Sequence, residues 1–145
     1  MATINATINV SSNIMSYPIS INKSMTMKKD QSCNGLEETT GMRTKKFTST
    51  TPAVIVEQDE LTDDKAHKLY VRNASTSKVN FFYIAYNASA AGATTTETIG
   101  KLYGGDWMLI PYDGNVNINA ASSSATDTQY LEYMVFADGV VTAAG

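Results

Sequence analysis

Leu69-Tyr70-Val71-Arg72-Asn73 and Phe81-Phe82-Tyr83-Ile84-Ala85-Tyr86 decide the fold class. Both are short runs of aromatic and β-branched residues, and Ser, Thr, Lys and Asn fill the space between them, which is the pattern of two strands and a turn. The same pattern recurs toward the C-terminus. Trp107-Met108-Leu109-Ile110 and Tyr130-Leu131-Glu132-Tyr133-Met134-Val135-Phe136 are further strand-like runs, and Ile110-Pro111-Tyr112-Asp113-Gly114 reads as a proline-initiated tight turn. No segment shows a helical period of comparable length. The chain is expected to be all-β, an antiparallel β-sandwich or small barrel with an extended N-terminal arm or hairpin.

Working outward, Ala53-Val54-Ile55-Val56 follows Pro52 and reads as a buried strand that begins where a proline is tolerated. Residues 52–145 are therefore taken as the β-sandwich domain, and residues 1–51 as an arm with extra strands and a loop. Within the arm, Ile4, Ala6, Ile8 and Val10 alternate with Asn5, Thr7 and Asn9, and Ile19, Ile21, Met25 and Met27 continue a period of two. One face of each strand asks for burial. A lone hairpin is marginal in water, so that face needs either the sheet of its own domain or a neighbouring subunit. Lys28-Lys29-Asp30, Asn34-Gly35 and Glu37-Glu38 break the pattern and read as a long loop.

Face assignment in the central strands starts from large residues. Leu69 and Val71, then Leu131, Tyr133 and Val135, supply one layer of core; on the middle strand the set is either Phe81, Tyr83 and Ala85 or Phe82, Ile84 and Tyr86. The run Phe81 to Tyr86 is apolar on both faces, so it is covered on both sides or lies at a subunit interface. Ile4, Ile8, Val10, Ile19, Ile21, Phe82, Ile84 and Tyr86 are the candidate interface residues.

Composition excludes several function classes. The 145 residues carry a formal charge of -3, with 43% hydrophobic and only 17% charged residues. That suits one core and gives no basic surface for nucleic acid. No apolar run approaches the roughly 20 residues of a membrane span, and Met1-Ala2-Thr3-Ile4-Asn5 has no basic n-region, so synthesis in a cytoplasm is expected and no membrane partner. Cys33 is the single cysteine and cannot form an intrachain disulfide.

Reactive residues have ordinary accounts. Glu57-Gln58-Asp59-Glu60-Leu61-Thr62-Asp63-Asp64 is strongly acidic, but it lacks the central Gly and the ligand spacing of an EF-hand loop and reads as a solvated connection. His67 is the only histidine, expected to be a partly exposed edge residue, and no Ser, Thr or Cys stands near a base in sequence. Gly92, Gly100, Gly104 and Gly105 form no phosphate-cradling pattern. No catalytic residue, metal ligand or cofactor is assigned. The seven tyrosines from Tyr70 to Tyr133, with Trp107, admit a sugar-binding face, against the simpler account of core and interface packing.

Lys68-Leu69-Tyr70-Val71-Arg72-Asn73-Ala74-Ser75, the Gly-Gly-Asp-Trp segment leading into Leu109-Ile110-Pro111-Tyr112-Asp113-Gly114, the stretch Ala120-Ala121-Ser122-Ser123 and the closing Leu131-Glu132-Tyr133 strand resemble small β-sandwich virion proteins of tailed bacteriophages. The resemblance spans residues 53–137. It implies a non-enzymatic structural protein of the virion, a capsid decoration (cement) protein that binds the major capsid protein and self-associates as a homotrimer or other homo-oligomer. It equally admits a tail-associated or carbohydrate- or receptor-binding module. Residues 1–51 and the loop at Ala88 to Thr96 depart from the pattern. Deleting residues 1–27 is expected to leave a cooperatively folded domain and to weaken assembly on capsids; undiminished binding of the truncated protein would refute a role for the arm.

Overall fold

The computed structural model describes residues 4–13, 19–27, 36–58, 60–61, 67–86, 98–112 and 114–138. Alternating side chains organise these residues into strands β1 (Ile4–Ser12), β2 (Ile19–Met27), β3 (Leu36–Thr39), β4 (Arg43–Phe47), β5 (Ala53–Val56) and β6 (His67–Asn73). They continue with β7 (Phe81–Tyr86), β8 (Thr98–Tyr103), β9 (Trp107–Tyr112), β10 (Ile118–Ser122) and β11 (Gln129–Asp138). Every pairing is antiparallel. One sheet runs β3-β11-β6-β9 with β4 also on β11, and the other runs β5-β10-β7-β8. β3 and β4 are two pieces of one edge, pairing the C-terminal and N-terminal parts of β11 on either side of Gly41, whose φ is 71°. With that edge counted once, β4-β11-β6-β9 faces β5-β10-β7-β8. From β4 onward sequence neighbours alternate between layers except for the β7–β8 pair, the two-sheet order of a jelly roll.

The core fills the space between the sheets. Leu69 and Val71 of β6, Leu131 and Val135 of β11, Phe82 and Ile84 of β7, and Ile118 and Ala120 of β10 are wholly buried, and Phe47 packs edge-on to Phe82 with ring centroids 5.0 Å apart. Burial of each large side chain contributes about 1.5–3 kcal/mol, so these residues dominate the stability of the sandwich. The middle strand therefore turns its even-numbered residues inward. All five residues of β10, Ile118-Asn119-Ala120-Ala121-Ser122, are buried. Their small side chains let a central strand pass between β5 and β7.

Two polar pins lock one end of the sandwich across the layers. Asn73, fully buried, donates its Nδ2 hydrogen to the Leu102 carbonyl of β8 at 2.9 Å and accepts at Oδ1 from the Ser75 amide and hydroxyl. Its backbone joins the β8–β9 turn through Asn73 N–H to Asp106 O and Gly105 N–H to Asn73 O, both 2.9 Å. Gln129 Nε2 donates to Ser122 Oγ at 2.6 Å, binding β11 to β10. Gly104 lies so close to the chain at Ser77 that a Cβ there would stand 2.2 Å from the Ser77 carbonyl oxygen. This turn has no room for a side chain.

Several sequence expectations change. The sheet takes in Leu36–Thr39 and Arg43–Phe47, so the sandwich begins before Pro52, because β11 is long enough to pair two successive segments. Pro111 lies inside β9 rather than opening a tight turn. β9 is an edge strand, where a residue without an N–H leaves the ladder intact. His67 is buried rather than partly exposed. Its ring meets Tyr112 with centroids 5.8 Å apart and packs against Gly114, where a Cβ would lie 2.7 Å from Cε1. Cys33, Asn34-Gly35 and the loop at Ala88 to Thr96 lie outside the described residues.

Phe82→Ala is expected to lower the unfolding free energy by about 3–5 kcal/mol, seen as a reduced urea midpoint at unchanged m-value. A loss below about 1 kcal/mol would show that the intersheet cavity collapses freely around the site.

Candidate interaction surfaces

The β1–β2 hairpin separates its residues largely by polarity. In the register Ile4↔Met27, Ala6↔Met25, Ile8↔Lys23, Val10↔Ile21 and Ser12↔Ile19, one face gathers the apolar residues, interrupted by Lys23 and Ser12. The other face holds Asn5, Thr7, Asn9 and Ser11 opposite Thr26, Ser24, Asn22 and Ser20. The apolar stripe is not covered along its length: Ile8 and Val10 are each 45% exposed and Ile21 46%. The side chains of Ile4 and Ile19 lie outside the described residues.

A second apolar surface is the outer face of the β3-β11-β6-β9 sheet. Registers Tyr70↔Leu109, Arg72↔Trp107 and Met134↔Tyr70 place these residues on the side opposite to Leu69, Val71 and Val135. Arg72 and Glu132 form an ion pair at 3.3 Å at one margin of this face. Between the face and the base of the hairpin opens a cleft of about 490 Å³, its lining including Ala6, Met42, Tyr70, Trp107, Leu109, Met134 and Phe136. Trp107 is 51% exposed and Met42 55%. Such side chains in water are a marker of an interaction surface.

The outer face of the β5-β10-β7-β8 sheet carries a smaller aromatic cluster. Phe81 crosses Tyr83 at 82° with centroids 4.9 Å apart and Tyr103 at 53° and 5.0 Å. Lys101 Nζ sits 4.8 Å from the centre of the Phe81 ring. Phe81 and Tyr83 meet edge to face, the favoured packing of aromatic pairs, and Tyr103 is tilted against Phe81, so the three rings share no common plane. Beside them, Val79 and Asn80 border a cleft of about 530 Å³ that continues to Pro52 and Ser123.

Of the residues singled out in sequence, the structure brings Ile8, Val10 and Ile21 together on one exposed stripe. It removes Phe82 and Ile84 from the interface set, because both are completely buried in the intersheet core. The outward members of that strand are Phe81 and Tyr83. Tyr86 is half-buried, with its hydroxyl donating to the Pro111 carbonyl at 3.4 Å. Met42, Leu109 and Met134 were missed. The signal for Met134 was present in the apolar character of both faces of Tyr130 to Phe136, whereas Met42 stands in a polar stretch that gave none.

Polar clusters are engaged in structural roles. On the corner between β4 and β5, Arg43 pairs with Glu60 Oε1, while Glu60 Oε2 accepts from the Glu57 amide at 3.4 Å. Lys45 Nζ donates to the Val54 carbonyl at 3.0 Å. Tyr133 faces this corner. Burial holds its phenol above the ordinary value; the Arg43 guanidinium pulls against that shift and the Glu60 carboxylate adds to it. Among the described residues no group of three or more His, Cys, Asp or Glu side chains lies together where it could hold a metal ion, and no helix is long and apolar enough to cross a membrane. The hydroxyls of Ser122 and Ser124 are spent on Gln129 and on the backbone of residues 124–127.

No protein-family model and no curated protein sequence matches the chain. Among solved structures it is similar to a chain of the Bacillus endospore appendages, which are described as forming a novel family of disulfide-linked pili. The two share 16% identity at a TM-score of 0.42, over 77% of this chain and 100% of that one.

The Tyr133 phenol gives a test of the corner. Its folded-state pKa is raised, so the stability carried by the neutral phenol is fully present below about pH 10 and drains away as the pH climbs through the folded value. Urea midpoints measured from neutral to strongly alkaline pH are expected to fall less steeply above that point in Tyr133→Phe than in the wild type. Identical alkaline slopes would show that the phenol is not desolvated.

Proposed function

We propose that the chain is a non-enzymatic structural subunit of a bacteriophage virion, a decoration (cement) protein that binds the major capsid protein shell and stabilises it as an oligomer. The observation that carries this reading is the pair of apolar outer faces: each sheet of the sandwich is apolar inside and also presents large apolar side chains outside, at Trp107, Leu109 and Met134 on one and at Phe81, Tyr83 and Tyr103 on the other. A protein that acts alone has no use for such faces, whereas a subunit repeated by symmetry gains avidity from many modest contacts of this kind.

Three further points support it. The resemblance to small virion β-sandwiches rests on residues 53–137, and jelly rolls serve in viral capsids and in lectins, a fold-level analogy only. The crossed rings of Phe81, Tyr83 and Tyr103 favour packing against protein over stacking on a flat glycan. The paired and hydrogen-bonded state of Arg43, Glu60, Ser122 and Gln129 suits a rigid module more than a reactive one.

Mass spectrometry of purified particles of the encoding phage is expected to recover the chain in many copies, with imaging placing it on the outer shell. Recombinant protein added to shells stripped of it is expected to bind saturably and to raise the temperature at which the shells open. Absence from the particles, or glycan binding by the isolated protein with no affinity for shells, would reverse the assignment.

A further inference from the structure

Among the described residues, an apolar cleft lies beside the base of a hairpin whose distal apolar stripe is unburied. Asn5, Ala6 and Thr7 of β1 line the cleft between the hairpin and the outer face of the β3-β11-β6-β9 sheet; Ile8, Val10 and Ile21, on the same hairpin face as Ala6, lie outside its lining and remain nearly half exposed. Because the base of the hairpin forms one wall of the cleft, the distal part of that same hairpin cannot also fill it while the β1–β2 pairing stays intact. The intramolecular solution is closed off by covalent continuity. What remains is another molecule with the same stripe.

We propose that the cleft receives the distal hairpin of a second copy of this chain, with Ile8, Val10 and Ile21 of one copy seated against Met42, Trp107 and Leu109 of the other. This rests on the self-assembly part of the proposed function and names the surfaces through which it happens. Charge selects the same occupant. Lys23, Lys28 and Lys29 give residues 1–29 a formal charge of +3 with no Asp or Glu, which leaves -6 on residues 30–145. An arm is attracted to the body of a neighbouring copy and repelled by a neighbouring arm, so arm on body prevails over arm on arm. Shape agrees with this. Two paired strands about 4.8 Å apart present a ribbon one hairpin wide, and the cleft is bounded along one side by a ribbon of that kind. On the hairpin's own polar face, Asn5 and Thr7 border the cleft, and Asn9 and Ser11 with their partners Asn22 and Ser20 stay toward solvent in this arrangement.

Trp107 is the single tryptophan of the chain and stands in the cleft, so its fluorescence reports docking directly. In a dilution series followed by sedimentation and by emission, the wild type is expected to associate with a concentration-dependent shift of Trp107 emission to shorter wavelength. The double substitution Val10→Asp and Ile21→Asp, at exposed positions that leave the sandwich intact, is expected to abolish both, weakening association by at least about tenfold. Met42→Glu, on the opposite surface, is expected to do the same. The two variants mixed together are expected to recover a complex, since one supplies an intact cleft and the other an intact hairpin.

Association of the wild type with unchanged Trp107 emission, or undiminished association of the hairpin variant, would overturn the docking and leave self-assembly to some other surface. A wild type that stays monomeric yet binds shells would overturn it too, with the virion reading standing. Docking that proceeds as described in a protein without affinity for shells would support the inference while the virion reading falls.

Discussion

Strand β11 is apolar on both faces, and this constraint shapes the rest of the structure. Leu131, Tyr133 and Val135 face the core while Met134 and Phe136 lie on the outer face beside Glu132, so either orientation of the strand leaves large apolar side chains on both sides. Its neighbours repeat the demand: Tyr70 and Leu109 lie on the outer side while Leu69 and Ile110 face in. One layer of cover comes from the second sheet, through Phe82, Ile84, Ile118 and Ala120. The outer side is covered unevenly: Phe136 is only 6% exposed, whereas Trp107 stands half in water.

The polar groups inside the sandwich serve registration. Asn73 spends both ends of its amide in joining β6 to β8 and to the following turn, and Gln129 reaches Ser122 across the layers. A buried amide left without partners costs about 1–3 kcal/mol, so these contacts hold the sheets in a single alignment. Registration at that end fixes how β9 follows β8 through Gly104 and Gly105, and hence where Trp107 emerges. The position of Trp107 on the outer face is thereby set by the core.

Long apolar runs were legible in the sequence because side-chain size and period survive without context. Leu69–Asn73, Phe81–Tyr86 and Tyr130–Phe136 are strands at nearly the expected bounds. Residues whose role depends on neighbours were not legible. Ile118-Asn119-Ala120-Ala121-Ser122 has the small side chains of a loop, yet it runs through the centre of a sheet because β5 and β7 enclose it. Arg43-Thr44-Lys45-Lys46-Phe47 looks like solvated charge, and it is an edge strand only because β11 pairs with it, the corner contacts to Glu60 and Val54 then engaging its charges. Which face of Phe81 to Tyr86 turns inward is likewise decided by the partner strands. Both sets are equally apolar, and the choice moved Phe82 and Ile84 from candidate interface to core. The exposed stripe of Ile8, Val10 and Ile21, by contrast, was readable from alternation alone.

That stripe is also the part of the chain least free to have arisen from chance pairing. A slip of one residue between β1 and β2 would place Ile8 beside Asn22 and mix the two faces. The observed register instead sorts every apolar residue to one side and leaves the other side to Asn, Ser and Thr. Sorting of this kind brings a hairpin no stability in isolation, where both faces meet water, and it exposes apolar surface that favours aggregation. It becomes favourable only when one face is covered. At its base Asn5, Ala6 and Thr7 line the cleft beside the outer sheet face, whereas Ile8, Val10 and Ile21 stay nearly half exposed, so the register concentrates exposed apolar surface on one side of the distal hairpin.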